Sequence, residues 1–158
     1  MSEAYPEPLS IEHDHPSRQL DSTALHHTIR HVLDAEGATL VHLSIVLTGH
    51  DTVRRLNQSY LEHDYDTDVL AFSLRDGPAP APSNTDETTV EGEVYVDLDT
   101  AAERHDEFGT SFEEEAYRYV IHGVLHLVGY DDATESGQAA MHDKEDQYLD
   151  AVPLPPAS

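Results

Sequence analysis

At 158 residues the chain has the size at which one hydrophobic core is the default and two would each be marginal, so a single domain over 1–158 is expected. With no cysteine it forms no disulfide, thiolate metal site or cysteine nucleophile, and any transition metal must be held by histidine and carboxylate. Thirty-two acidic residues against eight basic ones give a formal charge of −24, which argues against a partner held mainly by neutralised phosphates.

The first residues, MSEAYPEPLSIEHDHP, have neither the basic region nor the apolar run of an export signal. No stretch approaches the roughly 18 to 20 apolar residues of a membrane span. A soluble, cytoplasmic protein without membrane contact is expected. Residues 1–19 are polar, carry three of the nine prolines and read as an irregular or edge-strand arm.

From Asp21, Leu25, Ile29, Val32 and Leu33 fall at helical spacing, and the helix should end near Gly37. Thr39 to Leu47, with Val41, Leu43, Ile45 and Leu47 alternating, reads as a strand. Asp51 can cap a short helix carrying Val53, Leu56 and Tyr60. The apolar run Val69 to Leu74 predicts a buried strand. Residues 75–91, rich in Pro, Ser, Thr and Asp with almost nothing to bury, predict a mobile loop. Glu93 to Leu98 alternates with Val94, Val96 and Leu98 on one face and is read as a strand. A short helix follows from Thr100 to about Phe108, closed by Gly109.

Ser111 followed by Glu114 is a capping box, and Glu113 to Glu115 suit the positive end of a helix dipole. A helix to about Val128 should follow, ended by Gly129. The turn Tyr130-Asp131-Asp132 leads to a last helix from about Thr134 to Asp150. Interleaved strands and helices without repeats make the class α/β or α+β, one small sheet covered by helices.

His122 and His126, four apart on one helix, project from the same face about one turn apart, as two imidazoles gripping one zinc ion must. Gly129 stops the helix so that a third ligand can return, and Asp132 lies ten residues after the first histidine. HxxxH alone is common by chance in a chain with twelve histidines. The helix-ending glycine and the carboxylate give the spacing its weight. Metallopeptidases with such a helix place a glutamate base directly after the first histidine, whereas here that place holds Gly123.

The segment HGVLHLVGYDD resembles the HGxLHLxGYDH motif of the YbeY family, bacterial endoribonucleases of ribosomal RNA maturation. The segment from Leu56-Asn57 through Tyr60-Leu61 and Asp64 to Asp66-Thr67-Asp68-Val69-Leu70-Ala71-Phe72 is similar to the family's LNxxYRxKDxPTDVLSF, and Gly92-Glu93-Val94-Tyr95-Val96 to its strand GDIxI. The resemblance implies a zincin-like fold with a small mixed sheet and one Zn2+ on His122, His126 and Asp132. It also implies hydrolysis of single-stranded RNA near the ribosome, with no DNA partner. Two departures stand out: Asp132 replaces a ligand histidine and Leu61 an arginine. A carboxylate can ligate zinc, but it lowers the site's charge and weakens its activation of water. Leucine cannot stabilise charge at phosphorus, so either Arg54, Arg55 or Arg75 compensates or activity is reduced.

Asp131 is a further candidate for the chemistry, although the general base is not identifiable from sequence. His142 is read as exposed, and His26-His27 as surface histidines. Asp68 reads equally as a strand-entry cap, and Tyr60, Phe72 and Tyr130 as core before stacking groups. The charge reads as halophilic adaptation, because the acids are spread along a chain that keeps ordered periodicity and molar salt shrinks the Debye length to about 3 Å. The alternatives are a ribosome-associated binding module that has lost catalysis, and a hydrolase of another phosphoester or amide.

Overall fold

The computed structural model describes residues 8–61, 69–73, 88–109, 111–130 and 134–151. Strand β1 (Leu9–His13) is followed by α1 (Ser22–Ala35), β2 (Ala38–Thr48), α2 (His50–Leu61), β3 (Val69–Ser73) and β4 (Thr88–Asp97). Then come α3 (Leu98–Arg104), a 3-10 turn at His105–Phe108, α4 (Phe112–Val128) and α5 (Glu135–Asp150). The sheet order is β1-β2-β4-β3. The first three strands run parallel and β3 is antiparallel on β4, which makes a mixed sheet with the short β3 as one edge.

The helix starts follow from local chemistry. The Asp21 carboxylate accepts the backbone N–H groups of Thr23 and Ala24, Ser111 Oγ accepts that of Glu114, and Thr134 that of Gly137. Asp51 lies in the first turn of α2, not at its cap. The His50 N–H at that helix start is instead accepted by Asp99 Oδ2 at 3.0 Å. Asp97, fully buried, caps α3 and takes hydrogen bonds from Thr100 and His50, and His15 reaches Asp99 at 2.8 Å. Carboxylates at the strand ends thus tie α2, α3 and the arm after β1 to the sheet. Gly37, Gly109 and Gly129 all have positive φ at the ends of helical segments, where a side chain would be strained.

Two expectations are corrected. Val41 does not belong to the buried alternation of β2: it is 49% exposed, because the register shifts between Leu40 and His42. Leu40 pairs with Val90 and Leu43 with Gly92, so one extra residue keeps both leucines in phase with the core. Residues 88–91, expected as part of a loop over 75–91, belong to a strand. β4 begins at Thr88, pairs with the start of β2 and buries Val90 fully, so a segment poor in apolar residues is drawn in by its neighbour strand. Residues 74–87 lie outside the described residues.

The core lies between the sheet and the helices α1 and α4. Leu43, Ile45 and Leu47 of β2 meet Leu25, Ile29, Val32 and Leu33 of α1, and Ala116, Val120, Val124 and Leu125 of α4 join the same cluster. Met141, Tyr148 and Leu149 of α5 close it beside α4. No helix among the described residues is long and apolar enough to cross a membrane.

Candidate metal centre

The two histidines singled out by spacing are on α4 as expected. That helix packs its small residue Gly123 directly against β3 and β4, with Val94 and Val69 as the neighbours. This packing fixes the face on which His122 and His126 stand. Their rings meet edge to face with centroids 4.7 Å apart, and their Nε2 atoms are 3.1 Å apart. Two imidazoles on one tetrahedral zinc, each at 2.0–2.1 Å, hold their nitrogens about 3.3 Å apart, which is close to the separation of this pair. At 3.1 Å the same two nitrogens can share a proton in a hydrogen bond when no ion lies between them.

The donors present, ring nitrogens of two half-buried imidazoles, suit a borderline divalent transition metal, zinc among them. Among the described residues no third histidine or carboxylate completes a metal-binding group. Asp131 and Asp132, the expected neighbour and third ligand, lie outside the described residues, as do Asp68 and Arg75.

The chain just before them is anchored. Gly129, at φ 130°, ends α4, and the next residue, Tyr130, donates its hydroxyl to Glu36 Oε1 at 2.8 Å. Tyr148 of α5 donates to the other oxygen, Glu36 Oε2, and Lys144 Nζ lies 3.5 Å from it. Burial works against the Glu36 carboxylate, but the hydroxyls of Tyr148 and Tyr130 and the ammonium of Lys144 outweigh it and hold its pKa below the ordinary value. Burial and that same carboxylate push the Tyr130 phenol up to about 12.

Spacing alone did not point to Glu145. Its Oε2 lies 2.6 Å from His122 Nδ1 and its Oε1 accepts Arg118 Nη1 at 3.0 Å, with Glu145 only 5% exposed. A signal was present: Met141, Glu145 and Tyr148 form one stripe of α5 at i, i+4, i+7, so a glutamate occupies a place where an apolar residue is the rule.

The other candidates fall elsewhere. Arg54 and Arg55 are exposed on α2, an element that packs on β3, β4 and α3. His142 is exposed, as read from sequence, and lies 3.5 Å from Asp146. His26 and His27 line a surface cavity with Ile11, Ser22, Thr23 and Arg30. Phe72 is half-buried and edge-on to Tyr95 on the adjoining strand, and Tyr130 is half-buried against the core.

A family model described as "Endoribonuclease YbeY" matches residues 10–153. The chain is 72% identical to the "Endoribonuclease YbeY" of Salinibacter ruber over all of both chains. It is 39% identical to the protein of that name from Chlorobaculum tepidum, covering 84% of this chain and 89% of that one. The solution structure of TM1509 from Thermotoga maritima superposes with a TM-score of 0.59 at 30% identity, over 90% of this chain and 88% of the other.

Proposed function

The chain belongs to the YbeY family of endoribonucleases, and from that premise we propose that it hydrolyses single-stranded RNA in ribosomal RNA maturation, at a metal centre on His122, His126 and Asp132. The observation that carries the metal reading is the convergence of the two Nε2 atoms to 3.1 Å on one face of α4. Zn2+ bound there, one per chain, supplies Lewis-acid stabilisation of charge at phosphorus and makes water a usable nucleophile near neutral pH.

The chain's own residues divide the remaining work. His122 and His126 would hold the ion through neutral nitrogens, and Asp132, two residues after Tyr130 in sequence, would add a carboxylate. Gly123, where metallopeptidases of similar spacing carry their glutamate base, faces Val94 and has no side chain to offer. Asp131 is the candidate for proton transfer. Arg54 and Arg55 are the candidates for charge on the RNA backbone in place of the arginine that Leu61 lacks.

A net charge of −24 opposes RNA at low salt. A halophilic cytoplasm removes most of that repulsion, and contact with RNA then depends on the metal, on stacking and on those local arginines. The family relationship favours the nuclease over a binding module without catalysis.

The test is cleavage of single-stranded RNA, free or in ribosomal particles, by the purified protein in molar KCl, with zinc supplied or chelated. Cleavage should require the metal and vanish in His122→Ala and His126→Ala. Binding without cleavage under every metal condition would make the protein a module that has lost its chemistry.

A further inference from the structure

The metal reading names ligands but leaves open what aims the first of them. A neutral imidazole in water prefers its proton on Nε2, the atom that His122 would have to offer to an ion. Its ring can also turn about the Cβ–Cγ bond and present a carbon instead. Both faults are removed by an acceptor fixed at Nδ1. Glu145 Oε2 stands there at 2.6 Å, so His122 Nδ1 carries the proton and donates it, and Nε2 presents its lone pair toward His126.

The acceptor is itself held. Arg118, one turn before His122 on α4, donates Nη1 to Glu145 Oε1 at 3.0 Å and Nη2 to Asp146 Oδ1 at 2.7 Å. Asp146 is half exposed, whereas Glu145 is almost wholly buried. If the pair served only to neutralise the guanidinium, Asp146 would suffice. The second carboxylate, sunk into the α4–α5 interface with one oxygen committed to the imidazole, has a different task.

We propose that Glu145, clamped by Arg118, is a positioning residue that sets the ring orientation and tautomer of His122 for metal binding. The inference rests on the metal reading above and adds to it a dependence on a residue of α5 that touches no ion.

Two readouts test it. In metal-free protein in molar KCl, nitrogen NMR of the histidine rings should find the His122 proton on Nδ1. In Glu145→Gln, which keeps the shape but not the charge, that preference should weaken, and zinc affinity by competition titration should fall about 10- to 100-fold. Asp146→Asn removes an equal charge from the same arginine and should leave both readouts unchanged.

Equal weakening in Asp146→Asn would reduce the effect to net charge and overturn the proposal. So would zinc affinity in Glu145→Gln equal to that of the wild type, or a wild-type proton on Nε2. The wild-type tautomer decides the matter even if the variant fails to fold. A wild type that binds no zinc would sink the metal reading and this inference together. A wild type that binds zinc while Glu145→Gln binds it equally well sinks this inference alone.

Discussion

Gly123 of α4 packs so closely on Val94 of β4 that a Cβ on the glycine would lie 2.5 Å from Val94 Cγ1, and 3.2 Å from Val69 Cγ2. Two β-branched side chains on a sheet have little room to give. The residue directly after His122 is therefore set by the distance from helix to sheet.

Gly123→Ala should lower the thermal midpoint. Helix propensity alone would favour alanine by about 1 kcal/mol, but overpacking of this kind costs about 1–3 kcal/mol and wins here. In a Val94→Ala background the same change should cost less, since the tightest contact is then gone and the 3.2 Å approach of Val69 remains. A midpoint that rises in Gly123→Ala alone would show that α4 has slack against the sheet.

Acid should loosen the junction of α1, α4 and α5. Glu36 has a folded pKa below its ordinary value of 4.5, so its ionised form contributes stability that is fully present above that value and lost as pH falls through the folded pKa. Asp99, lowered by His15, the His50 N–H and Arg18 against the cost of burial, acts in the same direction, but at 39% side-chain exposure it contributes less. Tyr148→Phe should cost about 1.5–3 kcal/mol at neutral pH, because it removes a hydrogen bond to a charged group. It should also flatten the fall in thermal midpoint between about pH 5 and 3. An acid profile identical to that of the parent would assign the acid sensitivity to other carboxylates.

Salt should stabilise the fold. With a formal charge of −24, self-repulsion opposes compaction in dilute buffer, and screening relieves it. The thermal midpoint should climb from about 0.1 M to about 2 M KCl, over which the Debye length falls from about 10 Å to below 3 Å. No change across that range would remove the halophilic account of the charge.

The third ligand can be assigned by substitution. Asp132→Ala should abolish stoichiometric zinc, while Asp131→Asn should keep most of it. Asp132→His should supply a third neutral ligand and lower the pH at which RNA cleavage appears. Full zinc affinity in Asp132→Ala would move the ligand elsewhere, with the exposed His142 as the next candidate.

Much of this molecule could be read along the chain because its causes are local. The Ser111 cap, the glycine stop at 129 and the one-turn separation of His122 and His126 need only backbone geometry within a few residues. The same holds for the helix starts read near Asp21 and Thr134. What escaped reading depends on partners far away in sequence. The bulge that turns Val41 outward is fixed by the register of β2 against β4, and the start of β4 at Thr88 by the strand beside it. Glu145 stands out along the chain only as a glutamate in an apolar stripe, and its partners appear once α5 is laid on α4. Gly123 could be recognised as a missing base, but its packing role required Val94 to be placed opposite.

The grip of two phenols on Glu36 also bears on the order in which the centre can form. Tyr130 and Tyr148 lie 94 and 112 residues beyond that carboxylate. Closing loops of that length costs chain entropy before the contact returns anything, so this junction forms only after nearer pairings have shortened the path. The two histidines need no such help, since one helix brings them together. The approach of the two imidazoles can thus precede the anchoring of Tyr130, so the local pairing on α4 forms ahead of the distant junction beside it.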